Sequence, residues 1–505
     1  MSILLSAILL VLSFPNFNLE ILAWIWLVPL LFAIEDSKPF RSFLIAYAAG
    51  ALFFFGSVYW LIHVTLPGMI AVVLYLSLYF GLFGLFSYHA LRKGKLTALF
   101  LIPSIWVTSE LARSRLLTGF GWNLLGYSQS YNLPIIQIAD ITGVYGVSFL
   151  IVMVNVAIFF TIKELRNKSY NLSYLIIAAC LVFLFLFYGI FRLNNIFTGE
   201  VLRVAVIQGN IPQVKKWDSG FKDQILNKYE LLTKTAASGK IDLIIWPETS
   251  VPGFVESEKD LLDRMTSLAK SVSTPILAGT PREDRKFKDR YYNSAVLFYS
   301  DGKITGRYDK IHLVPFGEYI PFRGAFSFVE KFSTMPIGDF SRGRDYTVFG
   351  YFVKRSAKDK DISLKLIKKV RFSCLICFED IFGDLTREFV KRGAVFLVNI
   401  TNDAWFGKSS AAYQHAQNSV FRAVENRVNV VRAANTGLSC FIDQKGRIES
   451  AVEAGGENLF IDGFNIHDII LNNTRTFYTV YGDLFAYICA LFSLFMIGQS
   501  IVVRK

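Results

Sequence analysis

The sequence predicts a multi-span helical membrane domain joined to one α/β domain outside the bilayer. Residues 1–192 are dominated by Leu, Ile, Phe, Val and Tyr. Residues 193–475 have the mixed charge of a water-exposed domain, and residues 476–505 contain one closing apolar segment. Because a helix that crosses a bilayer needs about 20 mostly apolar residues, the first and last regions are expected to be the membrane part.

We expect about seven helices in residues 1–192 and one in residues 476–505. Two short apolar runs, 3–14 and 21–34, flank "SFPNFNLE" and are interpreted as a hairpin that counts as a pair or not at all. The longer candidate spans are 43–63, 69–91, 97–111, 136–162, 172–192 and 481–502.

Basic residues predict the orientation of these spans. They cluster in the loops after the second, fourth and sixth spans and at the C-terminus, whereas the loop 64–68 contains none. Since cytoplasmic loops carry the excess of Lys and Arg, both chain ends are expected in the cytoplasm and residues 193–480 outside it. The clustered residues are Lys38, Arg41, Arg92, Lys93, Lys95, Lys163, Arg166, Lys168, Arg504 and Lys505.

The net charge of +13 fits contact with anionic lipid headgroups and does not indicate a nucleic-acid partner. The most basic stretch, residues 354–371, lacks interleaved aromatic residues and is interpreted as a solvated hairpin that leads into the next strand.

Short apolar runs alternate with helical patterns in the outer region. This alternation predicts a layered α/β sheet with its chemistry at strand ends. The predicted strands are 201–209, 241–249, 274–281, 293–299, 371–380, 394–403, 428–437 and 438–448, with helices near 221–237, 258–271, 382–392 and 411–426.

The stretch "RFSCLICFED" contains two of the five cysteines, Cys374 and Cys377. Residues i and i+3 of a strand point to opposite faces, so the pair is not expected to share a metal or a disulfide, and no second cysteine pair completes a zinc site. Two interpretations stay open on composition: two core cysteines, or one core cysteine with Cys377 as a nucleophile at the strand end.

A thiol nucleophile needs a base and a group that stabilises the oxyanion. Glu248 ends an apolar strand in "IIWPETSVPGF", where burial would suit a general base, although the residue taken alone favours a capping or turn role. Lys310 lies in the apolar stretch "GRYDKIHLVPFGEYIPF" and fits either an oxyanion ligand or a salt bridge. A Cys377–His415 pair is the conventional alternative.

Three motifs together resemble the nitrilase superfamily, which uses a Glu–Lys–Cys triad. They are "WPET" with Glu248, "YDKIHLVPFGEYIP" with Lys310 and "CLICFEDIFGD" with Cys377. Joined to this topology, and to "QGNIPQVKKW", "TNDAWFG", "GFGWNLLGYSQ" and "YQHAQNSVFRAVENRVNVVRAANTG", the sequence is more specifically similar to the apolipoprotein N-acyltransferase family.

The resemblance implies an αββα sandwich, catalytic Glu248, Lys310 and Cys377, and no metal or cofactor. It implies a phospholipid acyl donor, a diacylglyceryl apolipoprotein acceptor and a bacterial inner membrane location with a periplasmic catalytic domain. Further residues match family positions: Glu318 and Glu379 in support of the triad, and Trp217, Asn293 and Trp405 in substrate binding. The aromatic segment 314–340 is expected to be a lid.

The sequence departs from the family pattern at Phe378, where relatives can have Tyr, and at Gly121, where Pro is common. Two other functions are weighed. One is a membrane-tethered amidase that hydrolyses a C–N bond, and the other is a transporter with a sensing domain. The transporter would need intramembrane ionisable residues, for which only Glu110 is a candidate.

Overall fold

The structure is a computed structural model that describes the chain except residues 217, 285–286, 288–289, 321–338, 356–365 and 503–505. It has two compact units. The first comprises Met1–Asn195, Ser409–Glu425 and Thr476–Lys505 and is called the membrane unit after its predicted location. The second comprises Ile196–Lys408 and Asn426–Arg475 and is called the catalytic unit because the predicted site residues Glu248, Lys310 and Cys377 lie in it. Residues 409–425 differ from the sequence expectation, which placed their helix in the outer domain.

The membrane unit is helical. Five of its described helices are long and apolar enough to cross a bilayer: Pro39–Ser57, Leu66–Ala90, Lys95–Arg113, Val144–Arg166 and Ser173–Asn194. Its other helices are Ser2–Leu12, Val28–Glu35, Leu133–Ile136, Ala139–Thr142, Ala411–Asn426, Phe477–Tyr481 and Leu484–Val502. The count of about seven N-terminal spans stays a prediction.

Three predicted apolar runs are longer than the helices observed there. The span predicted at 136–162 begins later, at Val144, because Gly143 adopts a φ of 63° and separates the long helix from two one-turn helices. The paired runs predicted at 3–14 and 21–34 form helices of 11 and 8 residues, Ser2–Leu12 and Val28–Glu35. At 1.5 Å per residue, both helices are shorter than the roughly 30 Å hydrocarbon core of a bilayer.

Small residues bring two of the long helices together. A Cβ atom on Gly84 would lie 2.4 Å from Cβ of Ala46 and 2.6 Å from the backbone oxygen of Ser42. Close approach of this kind allows extensive van der Waals packing where lipid removes the hydrophobic driving force between helices. Elsewhere in the unit, Gln414 accepts hydrogen bonds from the indoles of Trp60 and Trp122 at 3.0 Å and 2.9 Å.

The catalytic unit contains twelve strands among the residues that the structure describes. In chain order they are β1 (Val201–Gln208), β2 (Leu243–Ile245), β3 (Ile276–Glu283), β4 (Tyr291–Phe298), β5 (Ile304–Asp309), β6 (Phe349–Arg355), β7 (Leu366–Ile376), β8 (Phe396–Thr401), β9 (Asn429–Ala434), β10 (Cys440–Ile442), β11 (Ile448–Ala451) and β12 (Gly463–Ile470).

These strands form two six-stranded mixed sheets. The first has the order β12-β1-β2-β3-β4-β5 and the second the order β11-β10-β9-β8-β7-β6. The sheets face each other, since β1 contacts β9 and β4 contacts β7. Within each sheet the central strands are parallel, β1-β2-β3 and β7-β8-β9, so their carboxyl ends lie along one edge of the sheet.

Helices Lys222–Ala236 and Lys259–Ser271 cover the outer face of the first sheet. They bury Leu226, Tyr229 and Met265 in one apolar core with Trp246 and Val296. The helix Gly383–Lys391 packs on β7 of the second sheet, and the short helix Gln213–Lys216 follows β1. These layers confirm the predicted fold class, a helical membrane domain with an αββα sandwich.

Candidate active site

Glu248 lies just beyond β2 in a tight turn. The backbone N–H of Trp246 donates to the carbonyl of Leu277, which continues the pairing with β3. Thr249 then adopts a φ of 45°, which turns the chain away from the sheet. The Glu248 residue is 6% exposed, so the turn delivers its carboxylate into the interior at the strand end.

Lys310 is held between two carboxylates. Its Nζ is 2.9 Å from Oε2 of Glu318 and 3.6 Å from Oε1 of Glu248, and the residue is 1% exposed. Asn293 donates hydrogen bonds of 2.7 Å to both carboxylates, and Glu318 also accepts from the backbone N–H of Val314 at 2.8 Å. Burial lowers the pKa of Lys310, but the charges of Glu318 and Glu248 outweigh it and raise that pKa above its ordinary value.

Cys377 begins a 3-10 turn immediately after β7. Its φ of 53° is uncommon for a residue with a side chain and reverses the chain at the strand end. Asn399 on β8 donates to the Cys377 carbonyl at 3.1 Å and holds this turn. Cys374 is instead a fully buried residue of β7 in register with Val398, so the structure separates the two cysteines as core and strand-end residues. Neither cysteine forms a disulfide.

Glu379 fixes the turn that carries Cys377. Its Oε2 accepts from the Ile376 N–H at 2.8 Å. Its Oε1 accepts from the Tyr308 hydroxyl and the Ile311 N–H at 2.7 Å and from the His312 N–H at 3.0 Å. Burial raises the pKa of Glu379 to about 7, against the opposing effect of these donors. Glu379 therefore joins the turn after β7 to the segment that follows β5, where Lys310 lies.

The charges of the site act on the thiol in opposite directions. Burial raises the pKa of Cys377 most strongly, and the negative charges of Glu248 and Asp403 raise it further. The Lys310 charge and a hydrogen bond from the Thr401 side chain lower that pKa. A raised pKa keeps the Cys377 thiol neutral, so an attack by its sulfur would need a base to remove the proton.

Sequence reasoning missed three of these neighbours. Thr401 ends β8 and Asp403 follows it. Lys216 lies in the short helix after β1, with its Nζ 2.7 Å from the backbone oxygen of Glu248. The signal for the first two was a polar run, "TND", at the end of an apolar strand. For Lys216, "QVKKW" was noted as a motif, but nothing in it distinguishes a buried lysine from an exposed one.

The remaining predicted residues lie at the site, elsewhere in the structure, or outside the described residues. Asn293 contacts Glu248 and Glu318, whereas Trp405 lies partly exposed in the 3-10 helix Asp403–Phe406. His415 lies in the membrane unit with its ring 5.2 Å from that of Trp122. Trp217 and most of the predicted lid, residues 321–338, lie outside the described residues.

No group of three His, Cys, Asp or Glu side chains able to hold a metal ion occurs within the described ranges.

Comparison with known families identifies both parts of the chain. Residues 6–157 match the family described as the apolipoprotein N-acyltransferase N-terminal domain. Residues 203–473 match the family described as carbon-nitrogen hydrolase. A protein from Geobacter metallireducens named apolipoprotein N-acyltransferase is 40% identical over 96% of this chain and 92% of its own length. The chain belongs to the apolipoprotein N-acyltransferase family.

Two further relatives extend this assignment. The apolipoprotein N-acyltransferase of Chlorobaculum tepidum is 32% identical over 96% of this chain and 93% of its own length. That of Pasteurella multocida is 30% identical over 99% of this chain and 95% of its own length. Membership in the apolipoprotein N-acyltransferase family makes the chain a membrane-bound enzyme, and it does not favour the amidase and transporter alternatives.

The Glu248 turn has no room for a side chain at Gly279 of β3. A Cβ there would lie 2.5 Å from the Pro247 oxygen and 2.7 Å from Cα of Glu248. We therefore expect Gly279→Ala to shift the carboxylate and to slow alkylation of Cys377 by iodoacetamide about 10- to 100-fold, since small displacements at a reacting centre have effects of that size. Mass spectrometry of the alkylated peptide over time measures the rate.

Gly239→Ala is the matched control, because a Cβ at Gly239 meets no atom within 4 Å. An equal alkylation rate in Gly279→Ala and Gly239→Ala would show that the position of Glu248 does not govern the thiol.

Proposed function

We propose that the protein transfers a fatty acyl chain from a phospholipid, through a thioester on Cys377, to the N-terminal amine of a diacylglyceryl-cysteine lipoprotein. The observation that carries this proposal is the buried Lys310, shared by Glu248 and Glu318 beside the strand-end thiol. The apolar helices of the membrane unit support a lipid donor, because an acyl chain is available at the bilayer and not in bulk water.

In the first step Glu248 takes the proton of the Cys377 thiol, and the sulfur attacks the carbonyl carbon of the phospholipid ester. The negative charge passes to the carbonyl oxygen, where the ammonium group of Lys310 stabilises it. The ester C–O bond then breaks. The lysophospholipid leaves with the proton from Glu248, and a thioester remains on Cys377.

In the second step the neutral α-amine of the lipoprotein attacks the thioester carbonyl. Glu248 accepts a proton from the amine, and Lys310 again stabilises the oxyanion. The C–S bond breaks, the sulfur regains its proton from Glu248, and the amide product leaves. Glu248 is then ionised and Cys377 protonated again, as they were before the first step.

Glu318, Asn293 and Glu379 support these roles through the contacts described above. Glu318 and Asn293 fix the Glu248–Lys310 pair, and Glu379 fixes the turn of Cys377. Trp217, Asn293 and Trp405 stay predictions as substrate-binding residues. A thioester reaches an amine intact only if water is excluded, which is the property that separates an acyltransferase from an amidase of the same fold.

The nucleophile is tested by a pair of cysteine variants. We expect Cys377→Ala to form no acyl-enzyme when it is incubated with phospholipid vesicles, because it removes the thiol that follows β7 beside Lys310. Cys374→Ala is the matched control and should form the adduct. Intact-protein mass spectrometry detects it as a gain of one acyl group.

Addition of a diacylated lipopeptide to the wild-type acyl-enzyme should then give an N-acylated peptide. An adduct in Cys377→Ala would reject the nucleophile, and release of free fatty acid without acylated peptide would establish a hydrolase.

We further propose that the protein resides in the bacterial inner membrane with its catalytic unit on the periplasmic side. The basic loops between the membrane helices support this orientation. In a variant with all five native cysteines replaced by alanine, Glu453→Cys in the catalytic unit should react with a membrane-impermeant maleimide in intact spheroplasts.

Lys168→Cys, in a loop predicted to be cytoplasmic, should react only after lysis. Both positions are exposed in the structure, so access to the side of the membrane decides the result. Labelling of Lys168→Cys but not of Glu453→Cys in intact spheroplasts would reverse the proposed orientation.

A further inference from the structure

Lys216 is a second buried lysine next to the candidate general base. It is 2% exposed, ends the short helix Gln213–Lys216 after β1, and donates a 2.7 Å hydrogen bond to the backbone carbonyl of Glu248. Lysine is almost never this deeply buried unless it is paired, because removing its charge from water is costly. Because burial of this charge is costly, we infer that both the charge and the length of the Lys216 side chain have a function.

A network of amide side chains holds the segment that carries Lys216. Asn402, after β8, donates to Gln213 at 2.6 Å and accepts from Asn435 at 2.9 Å. Asn435, after β9, in turn accepts from the Ile211 N–H at 2.9 Å and donates to the Ile211 carbonyl at 2.8 Å. The segment, which follows β1 of the first sheet, is therefore hydrogen-bonded to residues after two strands of the second sheet, and Lys216 reaches Glu248 from a fixed backbone.

Lys216 balances the group formed by Glu248, Glu318 and Lys310, which without it has one more negative than positive charge. Glu248 and Glu318 bring two negative charges, and Lys310 brings one positive charge. Lys216 supplies the second positive charge, on the side of Glu248 where its backbone is held. When the proton moves from Cys377 to Glu248, the total is unchanged, but the negative charge moves to sulfur.

We propose that Lys216 is a positioning residue for the acyl transfer, which fixes the turn of Glu248 and supplies the second cation that stabilises the Cys377 thiolate. This inference rests on the proposed roles of Glu248 and Cys377. The second lysine of the motif "QVKKW", Lys216, would thus have an electrostatic function in acyl transfer.

Electrostatic coupling supports the assignment. Burial lowers the pKa of Lys216 to about 8, while Glu248 and Cys377, the charged groups that act on it, raise the pKa. Lys216 is therefore charged at pH 7 and loses its proton as the pH rises through about 8. Above that pH the thiolate loses one stabilising charge, so Cys377 reactivity should show an inflection there.

The test compares three substitutions by the rate of Cys377 alkylation with iodoacetamide between pH 6 and pH 10. Lys216→Met removes the charge and should lower the rate at pH 7 about 10- to 100-fold, in line with other losses of a charged group at a reacting centre. Lys216→Arg keeps a charge that does not titrate in this range and should restore most of the rate. Both variants should lack the inflection near pH 8.

Lys215→Met is the matched control. Lys215 is the preceding residue, but it is exposed, with its Nζ 4.7 Å from the ring centroid of Phe221. This variant loses the same formal charge and should keep the wild-type rate and inflection. A purely structural Lys216 would instead leave the inflection in place in Lys216→Arg, which would overturn the proposal, as would a wild-type rate in Lys216→Met.

The alkylation needs no lipid, so its result is independent of the transfer reaction. Wild-type protein incubated with phospholipid vesicles tests that reaction in parallel. Absence of an acyl adduct in wild type would reject the proposed function, while the alkylation profile would still decide whether Lys216 controls the thiol.

Discussion

The ion pairs of Lys310 are the interaction on which the rest of the site depends. A buried lysine without partners would be expelled or deprotonated, and two buried carboxylates without a cation would repel each other. Lys310 forms ion pairs with both Glu248 and Glu318, and Asn293 on β4 donates a hydrogen bond to each carboxylate. The arrangement keeps a permanent positive charge beside Cys377, where an acyl-transfer oxyanion would form.

The two sheets explain why these groups meet. Glu248 follows β2 and Lys310 follows β5 of the first sheet, whereas Cys377 follows β7 of the second. Because the sheets face each other, strand ends from both can converge. Glu379 then ties the turn after β7 to the segment after β5 through the N–H groups of Ile311 and His312. The site residues thus lie in turns just beyond the strands, and hydrogen bonds such as those of Glu379 fix these turns to one another.

Sequence reasoning predicted the centre of each sheet well and the edges poorly. The interior strands β1–β4 and β8–β10 and the second half of β7 contain short apolar runs, which a sequence displays directly. The edge strands β5, β11 and β12 were not predicted, and β6 only as part of a hairpin, because an edge strand such as β5 contains no apolar run and has mostly partly buried or exposed residues. The helix Ala411–Asn426 was recognised as a helix, but its sequence did not reveal that it packs with the membrane unit.

The site also has features that the sequence predicted and contacts that it did not. Glu248, Lys310 and Cys377 could be found because each interrupts or ends an apolar run, and the family resemblance joined them. The pairing of Lys310 with Glu318, and the approach of Lys216 to the Glu248 carbonyl, depend on contacts between segments distant in sequence. The left-handed backbone at Cys377 was also invisible, since no glycine or asparagine marks it.

The most direct measurement of the central claim is the rate of acyl-enzyme formation in Lys310→Met, determined by intact-protein mass spectrometry on the fraction that elutes as folded protein. Lys303→Met is the control, because the Lys303 side chain is 80% exposed. If Lys310 stabilises the oxyanion, its loss should lower the rate by about 10²–10³-fold and leave Lys303→Met at the wild-type rate. Folded Lys310→Met that acylates at the wild-type rate would reduce Lys310 to a structural ion pair and contradict the account.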